Sequence, residues 1–230
     1  MSNNKGTIVF DLDGTLINSA PDLCFALNKT LEEINIPKIS VKEVMGYLGD
    51  GALELIKRGI SKYKPIKNYN LEDLRIRFLE IYDTCLLDNT KFYPNSIESI
   101  KILRKNNYST AICTNKPLHL AKRIIEGLNA SHLFDIITGG DSYNYRKPDP
   151  RHLIKTIELT GNTINNAIMI GDSINDIDCA KRAEIKSIVV SFGYSNIPVR
   201  KLNANLIMDN YSNLIKYIEK PWIKATIITP

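Results

Sequence analysis

Ile8-Val9-Phe10-Asp11-Leu12-Asp13-Gly14-Thr15 reads as a hydrophobic strand that ends in two carboxylates two residues apart. Alternation in an extended chain aims both acidic side chains the same way, and Gly14 lets the backbone turn away. Asp-Gly is also a common turn dipeptide, so the stretch gains weight from a second one. Gly171-Asp172-Ser173-Ile174-Asn175-Asp176 follows another apolar run and adds two more carboxylates at a strand end. Buried like charges are costly unless a cation or a shared proton compensates. Four gathered carboxylates therefore predict one Mg²⁺ site, because that ion binds few protein oxygens and keeps waters. Ser173 followed by Asp176 also has the form of a helix-capping box, which accounts for Asp176 but not for Asp172.

Outward from these two stretches, short apolar runs alternate with helical periodicity. Strands are predicted at 7–10, 109–113, 134–138, 167–170, 186–190 and 206–208. Between them, Leu118, Ala121, Ile124, Ile125 and Leu128 recur at spacings of three and four, as do Ile174, Ile177 and Ala180. This pattern predicts an α/β fold, a Rossmann-like parallel sheet core with helices on both faces. Ligands in such sheets bind beyond the carboxyl ends of the strands, so Asp11, Thr114 and Asp172 should converge in one crevice. Thr15 and Thr114 are 99 positions apart, whereas a strand-helix-strand unit takes roughly 30 residues. The excess predicts an inserted small all-helical cap at 19–89, with the core formed by 1–18 and 90–230. Within it, Leu23, Ala26, Leu27, Thr30, Leu31 and Ile34, and then Leu71, Leu74, Phe78, Ile81 and Tyr82, carry helical spacing.

Composition narrows the classes of function. With 43% hydrophobic and 24% charged residues, the 230-residue chain is an ordinary globular one, able to bury a substantial core. Its net charge is +5, but Lys and Arg are dispersed, so no nucleic acid partner is expected. The polar start runs into only four apolar residues, so neither a signal peptide nor a membrane span is expected. Cys24, Cys85, Cys113 and Cys179 lie far apart without a metal-binding pattern, and read as reduced, buried thiols of a cytoplasmic protein. His119, His132 and His152 are not spaced as a metal cluster, and each reads as a surface or capping residue. The apolar tail at 221–230 is expected to cover a hydrophobic surface or support a dimer; the chain is expected to be a monomer or a homodimer.

Thr114, which ends Ala111-Ile112-Cys113-Thr114-Asn115, offers a hydroxyl and nearby backbone donors. Lys147 sits in Arg146-Lys147-Pro148-Asp149-Pro150, a turn stiffened by two prolines. A lone threonine at a strand end is usually structural and a lone lysine usually faces solvent. Combined with paired aspartates and Mg²⁺, they form a receptor for a phosphoryl group, whose oxygens need donors and positive charge.

Through Asp11 to Thr15, Thr114, Lys147 and Gly171 to Asp176, in this order and strand context, the chain resembles the haloacid dehalogenase superfamily of phosphohydrolases. The resemblance implies that Asp11 is a nucleophile forming an aspartyl-phosphate and Asp13 the general acid/base. It also implies that Thr114, Asn115 and Lys147 bind the phosphate, and that Asp11, Asp13 and Asp172 hold Mg²⁺. Ser173 and Asp176 are then supporting groups behind them. Residues 14–23 and 46–52 resemble the phosphoglycolate phosphatase branch of that family, which implies a small-molecule phosphate ester as substrate. Gly49, Asp50 and Gly51 are expected to bring backbone N–H groups to a small anion, and Arg58 to clamp a substrate carboxylate. The alternatives are a phosphatase acting on pyrophosphate, sugar phosphates or nucleotides, and a non-catalytic phosphate-binding module.

Overall fold

The computed structural model describes residues 4–219. The chain runs through β1 (Gly6–Phe10), β2 (Ile17–Asn18), α1 (Ala20–Glu33), α2 (Val41–Met45), α3 (Ala52–Ser61), α4 (Leu71–Thr84) and β3 (Lys91–Phe92). It continues with α5 (Ser96–Lys105), β4 (Tyr108–Cys113), α6 (Leu118–Gly127), β5 (Ile136–Thr138), α7 (Pro150–Glu158), β6 (Ala167–Gly171), α8 (Ile174–Arg182), β7 (Lys186–Val190), β8 (Leu206–Met208) and α9 (Leu214–Glu219). The tail at 221–230, for which a covering or dimerising role is expected, lies outside the described residues.

Six strands form one parallel sheet in the order β5-β4-β1-β6-β7-β8, as the apolar runs predict. Alternation decides which helices each face receives. Ile8, Phe10, Ile112, Ile168 and Ile170 point to the side packed by Ile100 and Leu103 of α5 and by Leu120, Ile124 and Ile125 of α6. Val9, Ala111, Cys113 and Met169 point to the other side, onto Leu153 and Ile157 of α7 and Cys179 and Ala180 of α8. Both faces are covered, which is why the strands read as continuous apolar runs rather than alternating ones. Strand β5 starts two residues later than predicted, because Phe134 first closes a helical turn onto Ser131.

Central β1 has neighbours on both sides, and the chain leaves it for β4 only after five helices, α1 to α5. Leu23, Leu27 and Leu31 of α1, Leu55 and Ile56 of α3, and Phe78 and Tyr82 of α4 are all buried, in one apolar cluster that continues into the sheet face bearing Ile8 and Phe10. The two chain passages into and out of the helical insert pair as an antiparallel ribbon, Ile17 with Phe92 and Asn18 with Lys91. Buried Asp22 at the start of α1 fastens the return: it accepts from the backbone N–H groups of Asn89 and Thr90, from the Asn89 amide and from the Thr90 hydroxyl. A carboxylate shared among four donors holds ribbon and helix in one geometry without needing a cation.

His152 departs from its expected surface position. It is fully buried on α7, against the Tyr143 ring, and burial, with the Lys147 charge nearby, lowers its pKa to about 4.

Candidate active site

The carboxyl ends of β1, β4 and β6 meet beneath the insert, and their next residues are Asp11, Thr114 and Asp172. Gly14 is demanded there twice over. Its φ of +83° suits only glycine, and a Cβ would lie 2.5 Å from Asp172 Oδ2. The sharp turn also separates the two leading carboxylates. Strand alternation stops at Phe10, and Asp13 sits beyond the end of β1, bridged to Ile17, so Asp11 and Asp13 meet different partners.

Asp11 is buried and accepts a hydrogen bond from Lys147 Nζ at 2.8 Å. The same ammonium donates to Asp176 Oδ1 and to the Cys113 carbonyl, both at 2.6 Å, so all three of its hydrogens are committed. Burial works against this charge, but Asp11 and Asp176 outweigh it and hold the Lys147 pKa well above its ordinary value. Asp11 itself is raised to about 7, by burial first, opposed by Lys147 and reinforced by Asp176. Asp172 is raised well above the carboxylate range by burial, then by Asp176 and Asp11. Its Oδ2 accepts from the Tyr194 backbone N–H at 2.6 Å.

Asp11, Asp172 and Asp176, all buried, each offer an oxygen within 4.8 Å of the others. Three carboxylates against one ammonium leave negative charge uncompensated in a buried place, and an all-oxygen donor set suits a hard divalent ion. The residues thus fit a metal. Asp176 also caps α8, accepting from the Ser173 backbone N–H at 3.0 Å and from its hydroxyl at 2.7 Å. Its Oδ2 serves the cap and its Oδ1 accepts from the Lys147 ammonium.

The shifted carboxyls set a pH dependence. A carboxyl raised from 3.8 to about 7 in the fold contributes stability below its unfolded pKa that is lost as pH rises through the folded one. Without metal, ionisation of Asp11 therefore destabilises the fold as pH rises through about 7. A divalent cation offsets this only where Asp11 is ionised. Thermal unfolding with and without 10 mM Mg²⁺, a test concentration on the order of common metal-binding assays, is expected to show a larger rise in Tm at pH 7.5 than at pH 5. Equal rises would contradict the assignment of Asp11 to the metal group.

Asp13 is expected among the metal ligands, but its carboxylate faces elsewhere. Both oxygens lie 3.0 Å from Lys116 Nζ, and Oδ1 accepts from Ser19 Oγ at 2.5 Å. In the compact acidic group its place is taken by Asp176. Lys116 escapes sequence reasoning; the available signal is a lysine lodged between Thr114-Asn115 at a strand end and Pro117 at a helix start. It is 7% exposed, and its Nζ also reaches the Tyr82 hydroxyl at 2.9 Å and lies 4.6 Å from the centre of that ring. Burial and the Asp13 charge push the Tyr82 phenol well above its ordinary pKa, so it keeps its hydrogen. Thr114 is buried, and its hydroxyl accepts from the Lys116 N–H at 3.2 Å, which leaves its own hydrogen to donate into the site.

The loop before α3 closes the site from above. Gly49 and Gly51 line it, yet the polar group used is the Gly49 carbonyl, which accepts from the amides of Asn115 at 3.1 Å and Asn175 at 3.2 Å. Asn175 also donates to Asp50 at 2.7 Å. Asn115, expected on phosphate, thus has its amide on backbone, including the Lys147 carbonyl at 3.0 Å. Arg58, expected on a carboxylate, turns outward. It pairs with Asp50 and donates to the Tyr47 carbonyl at 2.8 Å, and both Arg58 and Asp50 line a neighbouring groove instead. Between insert and core a cavity of about 70 Å³ remains, floored by Asp11, Asp13, Thr114, Lys116 and Lys147 and roofed by Leu48, Leu55, Phe78 and Tyr82.

A buried aspartate gripped by a lysine, a second aspartate beside it and a metal-capable carboxylate group at strand ends define a hydrolase site. The family model of haloacid dehalogenase-like hydrolases matches residues 8–190, and the chain belongs to that family. It is 36% identical over 223 residues to a phosphoglycolate phosphatase of Mesorhizobium japonicum, covering 96% of this chain and 98% of that one. A phosphoglycolate phosphatase of Agrobacterium fabrum is 35% identical, over 90% of this chain and 89% of its own. The fold superposes with a TM-score of 0.86 on a crystal structure of a predicted phosphoglycolate phosphatase from Haemophilus somnus, 30% identical, covering 94% of this chain and 99% of that one. Among the described residues no helix is long and apolar enough to cross a membrane.

Proposed function

We propose that the protein hydrolyses 2-phosphoglycolate to glycolate and inorganic phosphate, with Mg²⁺, through an aspartyl-phosphate on Asp11. The observation that carries this reading is the buried Asp11–Lys147 pair at the floor of a small cavity closed by the helical insert, in a chain whose relatives bear that name. The cavity is small, about 70 Å³, and roofed by the insert, which suits a compact ester and not a macromolecular phosphate.

Asp11 attacks phosphorus as the bond to the glycolate oxygen breaks, and Asp13, which enters this step in its acid form, gives that oxygen its proton. Water then attacks the phosphorus of the acyl phosphate, passes a proton to Asp13, and frees phosphate and Asp11. Lys147 holds Asp11 in line and, with the Thr114 hydroxyl, faces the phosphoryl oxygens. Mg²⁺, held by Asp11, Asp172 and Asp176, would supply positive charge against those oxygens. Asp13 serves as proton carrier, for which its position outside the acidic group is suited. Residues 19–89 act as the cap, moving about the β2–β3 ribbon, and the Gly49–Asp50 loop with Asn115 and Asn175 seals it against bulk water. We place the protein in the cytoplasm, a reading supported by four free, buried cysteines.

Phosphate release from 2-phosphoglycolate, other phosphate esters and pyrophosphate tests this, each with Mg²⁺ and with a chelator. The expected result is a kcat/KM advantage for 2-phosphoglycolate of about tenfold or more that is lost on chelation. Mg²⁺-dependent release favouring another compound would move the substrate assignment, and no release from any would favour a phosphate-binding module.

A further inference from the structure

A substrate with a phosphate at one end and a carboxylate at the other needs two cationic contacts, and the cavity walls offer few. Among the described residues lining it, the cations are Lys147 and Lys116. Lys147 is committed to Asp11, Asp176 and the Cys113 carbonyl at the phosphoryl end. Arg58 and Arg146 face the neighbouring groove. The remaining lining combines uncharged polar groups, among them Asn115, Ser173 and Asn175, with an apolar wall of Leu23, Leu48, Leu55 and Phe78, against which an unpaired carboxylate would be costly.

We propose that Lys116, assisted by the Tyr82 hydroxyl, is the subsite for the substrate carboxylate and sets selectivity for carboxylated over neutral phosphate esters. The proposal rests on the reading of this cavity as the phosphate-ester site. Lys147, held on Asp11, and Lys116, held on Asp13, line the same small cavity, so one compact ligand can face both ammonium groups. The Lys116 ammonium already grips a carboxylate, that of Asp13, with two oxygens at 3.0 Å. Transfer of its donors to a substrate carboxylate exchanges one such partner for another, while Asp13 keeps its bond from Ser19. Tyr82 comes from the insert and Lys116 from the core, so the subsite is complete only when the insert is seated on the core.

The test compares kcat/KM for 2-phosphoglycolate with that for ethyl phosphate, which replaces the carboxylate by a methyl group. Lys116→Met is expected to lower this ratio about 10- to 100-fold, the range for a charged hydrogen bond, mainly through KM of the carboxylated ester. Lys116→Arg should retain part of the ratio, and Tyr82→Phe should lower it about threefold to tenfold. If Lys116 merely positions Asp13, both esters slow alike and the ratio stays put, which overturns the proposal. Lys116→Gln gives the same comparison should the methionine variant not fold.

Calorimetric binding of 3-phosphonopropionate against propylphosphonate, both non-hydrolysable, separates the subsite from the substrate reading. A wild-type preference for the carboxylated ligand that shrinks in Lys116→Met upholds the subsite even if 2-phosphoglycolate is not turned over. The absence of that preference in the wild type overturns it.

Discussion

Asp11→Asn is expected to fall below about one per cent of wild-type turnover, a loss of more than about 2.7 kcal/mol in transition-state stabilisation. The amide is nearly isosteric but a poor nucleophile, so the covalent step fails while the shape of the site survives. Stability should move the other way. Burial raises the Asp11 pKa to about 7, which means the ionised group is held at a cost, and the neutral amide removes that cost. Lys147 keeps Asp176 and the Cys113 carbonyl as partners. Without metal at pH 7.5 the variant should therefore unfold at the same or a higher urea concentration than the wild type. The checks are phosphate release and urea melts on one preparation, with mass spectrometry to exclude deamidation. Turnover above one per cent would sink the covalent assignment, and a lower urea midpoint would contradict the electrostatic account.

Lys147→Met should lose both properties. Turnover is expected to fall at least about 100-fold, because the phosphoryl oxygens lose a charged contact and Asp11 its tether. Stability at pH 7.5 in chelator should drop by about 3–5 kcal/mol, the usual cost of leaving a buried charge unpaired. Removing the ammonium leaves Asp11, Asp172 and Asp176 within 4.8 Å of one another with no cation among them. Asp11 and Asp172 already bind protons more tightly in the fold than in the unfolded chain, and loss of Lys147 strengthens that tendency. Acidification lets the site take up protons and relieves the repulsion, so the stability loss should shrink at pH 5. Guanidinium unfolding of variant and wild type at the two pH values measures this. A loss of equal size at both would mean that Lys147 acts by packing rather than by charge.

Local pattern explains what was legible beforehand. All six sheet strands follow from apolar runs, and α1 and α4 follow from the spacing around Leu27 and Phe78, because period and burial are properties of neighbouring residues. The 99-position gap announces the insert for the same reason, as an excess over what one crossover needs. The ribbon of β2 and β3 escaped, since two residues on each side carry no periodic signal and pair only across the insert. His152 was misplaced because isolated histidines tell nothing of which helix face they occupy.

At the site, the order of motifs along the chain determined the family and the acidic ends of β1 and β6. What each charge touches was decided only in three dimensions. Asp13 and Lys116 are 103 positions apart and Lys116 and Tyr82 34 apart, so no local pattern joins them. Arg58 is plausible on a substrate until Asp50 and the Tyr47 carbonyl are seen to hold it. Strand ends are set by short-range preferences that a sequence displays directly. Ion-pair choice depends on which long side chain the docked insert leaves facing which carboxylate, and that is a property of the assembled core and insert together.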